Sequence, residues 1–153
     1  MPVKKLVSRS FQRYWRMSRG LTLGAQGCVL DASNRVLLIR HTYRPGWHFP
    51  GGGVERGESA EFAVIRELEE EAGIIVECRP KLFGLYDHQR VFPGDHIALF
   101  VVRSWHQSHV PAPNHEIAGQ GFFAFSELPA GIDPPTLSRI KEILGSGAPA
   151  EMW

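Results

Sequence analysis

The sequence predicts an α/β domain, and three observations carry that reading. Apolar, β-branched stretches recur between turn signals along the chain. Residues 60–72 and 134–144 carry the start, stop and periodicity signals of helices. A run of three glycines stands just ahead of the first helix. At 153 residues the chain suits one domain able to enclose a core without disulfides or an obligatory partner.

The elements follow in order. Residues 8–19 predict a short helix, with Phe11 and Trp15 one turn apart among arginines. Residues 21–30 and 35–40 predict two paired strands, with Asp31, Ala32, Ser33 and Asn34 as the hairpin turn between them. In Trp47-His48-Phe49-Pro50-Gly51-Gly52-Gly53 the glycines expose backbone amides and carbonyls, so a ligand-facing loop is expected. Ser59 caps the next helix, Glu61 favours its first turn and Gly73 suits its stop. Further strands are expected over residues 75–86, 96–105 and 121–125. Pro134-Pro135 then opens the second helix, with Leu137, Ile140 and Leu144 at helical spacing.

Composition excludes several classes. No apolar run approaches the roughly 20 residues that span a bilayer. The N-terminus is basic but lacks the apolar stretch and cleavage site of a secretory signal, so the expectation is a cytoplasmic protein. Cys28 and Cys78 are the only cysteines, each in an expected strand and neither in a metal-ligand pattern, which predicts buried, reduced thiols. A net charge of +1 argues against a general nucleic-acid binder, but it conceals two clusters. Lys4, Lys5, Arg9, Arg13, Arg16 and Arg19 precede any acid, whereas eight of the sixteen acids fall between Glu55 and Glu77.

The acidic cluster carries the chemistry. On a helix advancing about 100° per residue, Glu67, Glu70 and Glu71 converge on one face, while Ile65, Leu68 and Ala72 form an apolar stripe for packing. Three adjacent carboxylates repel one another unless a cation neutralises them. Hard oxygen donors in that number suit Mg²⁺ or Mn²⁺, which bind through a few carboxylates plus waters and substrate phosphates. A phosphorylated substrate is implied.

The stretch Gly52-x5-Glu58-x7-Arg66-Glu67-Leu68-x-Glu70-Glu71-x-Gly73-Ile74 resembles the complete Nudix box, with no departure at a fixed position. A chance match of this kind is on the order of one in a million or rarer. The resemblance implies a Nudix-type α/β/α sandwich with a mixed β-sheet, formed by one domain over residues 21–153 after a basic N-terminal segment, residues 1–20. It implies metal ligation by Glu70 and Glu71, Glu67 as ligand or base, and the Gly51 carbonyl as a further ligand. Arg66 would hold the carboxylates by ion pairing, and Glu58 would support the loop or help hold metal. Glu116, which precedes an aromatic strand and Leu128-Pro129, is the candidate for the additional glutamate that family members supply from a late loop.

Substrate contacts are assigned to Arg40, whose planar fork suits oxyanions, to Tyr43, Arg44 and Trp47, to Gly52, and to His88 and Arg90 beyond the box. The reaction implied is divalent-metal-dependent hydrolysis of a pyrophosphate bond in a nucleoside diphosphate linked to another group: ADP-ribose, a sugar nucleotide, a dinucleoside polyphosphate or a modified nucleoside triphosphate. The alternative is an inactive nucleotide-binding or sensor module on the same fold. The expected partner is a small-molecule nucleotide, with no stable nucleic-acid partner. The basic N-terminus is expected to pack on the body or in a dimer rather than meet a membrane, and a homodimer stays open.

Overall fold

The computed structural model describes Tyr14 and residues 16–153. The expected N-terminal helix lies largely outside the described residues; within them, Tyr14 and residues 16–18 are helical and exposed. Beyond it the strands are β1 (Thr22–Val29), β2 (Val36–His41), β3 (Trp47–His48), β4 (Gly51–Gly53), β5 (Ile74–Val76), β6 (Lys81–Asp87), β7 (Asp95–Val102), β8 (Trp105–Gln107) and β9 (Ile117–Phe123). Helix α1 (Ala60–Ala72) lies between β4 and β5, and α2 (Pro134–Leu144) follows β9.

The central sheet is mixed, in the order β4-β1-β7-β6: β1 runs parallel to β7, and the other two pairings are antiparallel. A second, antiparallel sheet has the order β3-β2-β9, and β5 pairs with β8. Alternate residues of β1 and β7 point to opposite faces, and both faces are buried. Ala25, Val29, Ala98, Phe100 and Val102 pack with Ala63, Val64, Leu68 and Ala72 of α1. Cys28, Leu30 and Leu99 face the other way, toward Phe49, Tyr86 and Ile140 of α2. The result is the expected α/β/α sandwich.

Four local expectations are corrected. β1 and β2 do not pair as a hairpin; apart from a bridge between Leu30 and Val36 they diverge into different sheets, Asn34 turning the chain with φ 57°. The expected strand over residues 75–86 is two strands, broken at Pro80, that pair with different partners. The glycine run is not a free loop but the strand β4, hydrogen-bonded to β1. Cys28 is buried, whereas Cys78 is exposed and lies outside any strand.

The sequence signals place α1 to the residue. The Ser59 side chain accepts from the Phe62 N–H, and Gly73 ends the helix in the left-handed conformation, its N–H bonded to the Glu69 and Leu68 carbonyls. The carbonyls of Ala72 and Gly73 are satisfied by Gln107 Nε2 and Ser108. Leu68, fully buried, anchors the helix against the sheet. Leu68→Ala is expected to cost about 2–5 kcal/mol, read as a lower urea midpoint with an unchanged slope.

Candidate active site

Helix α1 turns its polar face toward β4, and Arg66 is the hub of that face. Its Nη2 donates to Glu58 Oε1 at 2.9 Å, its Nη1 to Glu67 Oε1 at 2.8 Å and to Glu70 Oε2 at 3.3 Å. Nη2 also reaches the Gly53 carbonyl at 3.4 Å. One planar guanidinium thus ties the loop before the helix to two carboxylates of the helix face. The hydrogen bond from Arg66, helped by a backbone bond within the loop, holds the Glu58 carboxyl below its usual range. The same contacts raise the pKa of Arg66 further above its ordinary value.

Glu71 is treated differently. Its Oε2 accepts a 2.8 Å hydrogen bond from the Gly51 N–H, which joins α1 to β4. Burial pushes its pKa up to about 7, the Gly51 bond opposes this, and the charge of Glu67 adds to it. The charges of Arg44 and Glu116 also bear on Glu71, with opposite signs. Gly52 lies so close to the Glu67 carboxylate that a Cβ there would collide with it. The box residues Gly51, Gly52, Glu58, Arg66, Glu67, Glu70 and Glu71 are therefore brought together.

Glu116 stands at the start of β9, exposed, with its carbonyl accepting from the Thr42 N–H and its N–H bound to Asn114 Oδ1. Tyr43 is exposed beside His41, its ring 4.9 Å from the imidazole, and feels the charges of Arg44, Glu71, Glu116 and Glu67. His41 itself is buried; burial first, then Arg44 and His48, lower its pKa to about 4, so it stays neutral near pH 7.

Behind β4, on the α2 face of the sheet, Gln26, Arg44, His48, His88, Asp133 and Trp153 line a cavity of about 310 Å³. Gln26 sits in register opposite Gly51, so this cavity and the carboxylate face share one strand pair. Arg44 belongs to both, lining the cavity while its charge acts on Glu71, and its Nε is buried without a partner among the described residues. His88 is steadied by a 2.8 Å contact between Nδ1 and Asp95 Oδ2. Asp133 caps α2, accepting from the Thr136 N–H and hydroxyl.

Three expected substrate contacts, Arg40, Trp47 and Arg90, are not in the lining of that cavity. Arg40 lies over the Trp47 ring at 5.5 Å, and Trp47 in turn packs edge-on against Phe123 at 5.2 Å. Arg40 lines an open pocket of about 350 Å³ together with Tyr43 and Arg44. Arg90 is exposed on the turn after β6. The sequence reading missed Gln26, Asp133 and Trp153. A lone amide in the apolar strand β1 was the available sign for Gln26, and no local pattern marks Trp153.

A divalent cation suits this donor set. Glu67, Glu70, Glu71 and Glu58 supply hard oxygens, and the Glu71 carboxylate, its pKa raised first by burial and then by the charges of Glu67 and Glu116 against the opposing charge of Arg44, would be stabilised by an added positive charge. Among the described residues no three His, Cys, Asp or Glu side chains converge closely enough to hold an ion. Glu67 and Glu70 instead pair with Arg66, and Glu71 accepts from the Gly51 N–H. No helix among the described residues is long and apolar enough to cross a membrane.

Comparison with known proteins gives a consistent family likeness. The family model for the NUDIX domain matches residues 21–142. A putative 8-oxo-dGTP diphosphatase of Bacillus subtilis is 38% identical over 79% of this chain and 78% of its own length. An ADP-ribose pyrophosphatase of Methanocaldococcus jannaschii is 31% identical over 64% of this chain, and the match spans 59% of that protein. An uncharacterized relative from Bacillus subtilis is matched over only 43% of its length. Among solved structures, a MutT NUDIX hydrolase from Burkholderia pseudomallei superposes with a TM-score of 0.68 at 29% identity, covering 80% of this chain and 97% of that one.

Proposed function

The chain belongs to the Nudix hydrolase family, and from that premise we propose that it hydrolyses the pyrophosphate bond of a nucleoside triphosphate, releasing a nucleoside monophosphate and pyrophosphate. The observation that carries this reading is the adjacency of two features across one strand pair. A carboxylate face lies on one side of β4, and a cavity of about 310 Å³ lies on the other, with Arg44 common to both. A cavity of that size suits one nucleoside rather than two. The likeness to a putative 8-oxo-dGTP diphosphatase over most of both chains makes a modified purine nucleotide the first candidate.

Glu67, Glu70, Glu71 and the Gly51 carbonyl would hold the divalent cation, Mg²⁺ or Mn²⁺, with Glu58 and Glu116 as further oxygens. When bound, such an ion offsets phosphate charge and acidifies a water molecule. The protein's own groups do the rest. Arg66 fixes the glutamates in orientation through its hydrogen bonds to Glu58, Glu67 and Glu70. Arg44, which lines the cavity and has a buried donor without a partner among the described residues, would pair with the phosphate chain. A carboxylate not engaged as a ligand, Glu67 or Glu116, takes the proton from the attacking water.

Incubating the protein with a panel of canonical and oxidised nucleoside triphosphates, ADP-ribose and a dinucleoside polyphosphate, with Mg²⁺ or Mn²⁺, tests the substrate class. Pyrophosphate and a nucleoside monophosphate are the expected products, seen by phosphorus NMR. Exclusive cleavage of ADP-ribose would overturn the triphosphate reading.

A further inference from the structure

Residues 151–153 lie beside the end of β6 and are joined to it at a single bridge. The Asp87 N–H donates to the Glu151 carbonyl at 2.9 Å, the Trp153 N–H donates to the Asp87 carbonyl at 3.0 Å, and Met152 bridges to Asp87 in parallel. Arg139, a buried cation of α2, secures the same segment: its Nη1 donates to the Met152 carbonyl at 2.7 Å while Nη2 binds Glu142 Oε1 at 2.6 Å. The Trp153 ring meets Tyr86 edge-on at 5.3 Å and Phe49 at 6.5 Å. Tyr86 is fixed in turn by its hydroxyl, which donates to Glu142 Oε2 at 2.9 Å. The indole is thus held by backbone, by a cation and by two aromatic rings, yet it remains half-buried because part of it lines the cavity.

Gln26 lines the same cavity from β1, where every neighbouring inward position is apolar or glycine. Its Oε1 is buried and has no hydrogen-bond partner among the described residues. A buried carboxamide acceptor without a partner is uncommon in a native fold and calls for an explanation. A ligand carrying an N–H group supplies one.

We propose that Trp153 and Gln26 together determine which nucleobase this cavity accepts, the indole as its stacking wall and the Gln26 carboxamide as its hydrogen-bonding reader. The inference rests on the reading of the cavity as the nucleoside site. It adds that the segment of residues 151–153 is part of that site rather than a passive appendage. Trp153 positions a base by area and shape, which every base can satisfy. Gln26 discriminates, because a base without a donor at that point leaves the carbonyl oxygen buried and unpaired, and sites built on such a contact reject the lacking analogue strongly.

The test is calorimetric binding of purine and pyrimidine nucleoside 5′-monophosphates to the full chain, alongside turnover of the matching triphosphates. The proteins are the wild type, Trp153→Ala, Trp153→Phe and Gln26→Leu, with thermal melting to report folding. Trp153→Ala is expected to weaken binding of every base about tenfold or more, and Trp153→Phe to recover much of the loss. Gln26→Leu is expected to equalise affinity for the preferred base and its competitors. Unchanged affinity and unchanged base preference in the folded variants would overturn the proposal, as would a wild type that binds no monophosphate. Binding that follows this pattern without turnover of any triphosphate would leave the base site standing and refute the hydrolytic reading instead.

Discussion

Replacing Glu71 with glutamine lowers metal-dependent turnover by on the order of 10²-fold or more while leaving the fold at least as stable as before. The two effects have opposite origins in one residue. Glu71 is buried beside the charges of Glu67 and Glu116, which is why its pKa rises to about 7. Glutamine keeps an oxygen to accept the Gly51 N–H but removes the charge that a cation requires. A group whose folded pKa is raised contributes full stability below its unfolded pKa and loses it as pH climbs through the folded value. With metal chelated, the stability advantage of Glu71→Gln should therefore grow from the ordinary carboxylate range to about pH 7 and level off above it. Thermal melts across that range, paired with initial rates at saturating Mg²⁺, check both parts; a variant that is destabilised at every pH would show that Glu71 is structural.

The second large effect is expected at Gly51. Its φ of 150° lies where L side chains are strained, and a Cβ there would overlap the Ala25 carbonyl oxygen and press on Gln26. Gly51→Ala is expected to cost about 1–3 kcal/mol from backbone strain alone, with the steric clash adding to it. Because Gly51 pairs with Gln26 across β4 and β1 and donates to Glu71, activity should fall further than stability does. Denaturant unfolding and rates on the folded fraction separate the two losses. A glycine-like rate in the alanine variant would show that β4 does not position the carboxylate.

Local signals made α1 and its glutamates readable in advance. Ser59, the helix-forming run and Gly73 act within a few residues of one another, so cap, period and stop can be read from the chain alone. The same holds for α2, where Pro134-Pro135 marks the start. What was not readable depends on residues far apart in sequence. That β1 leaves β2 to pair with β7 is decided by long-range packing on both faces of the sheet. That Trp47 packs on Phe123, a residue of β9, with Arg40 over its ring depends on the same long-range pairing. The cavity assembles from Gln26, His88, Asp133 and Trp153, which only the completed fold brings together. A resemblance that is strict only over the box could supply the reaction class but not these walls.

The most direct test of the carboxylate face is hydrolysis in isotopically labelled water, followed by phosphorus NMR, for the wild type and for the double variant Glu70→Gln/Glu71→Gln. The account predicts that wild-type protein places labelled oxygen on one product phosphate only when a divalent cation is present, and that the folded double variant places none. Label incorporation by the double variant at the wild-type rate, or by the wild type in excess chelator, would contradict it.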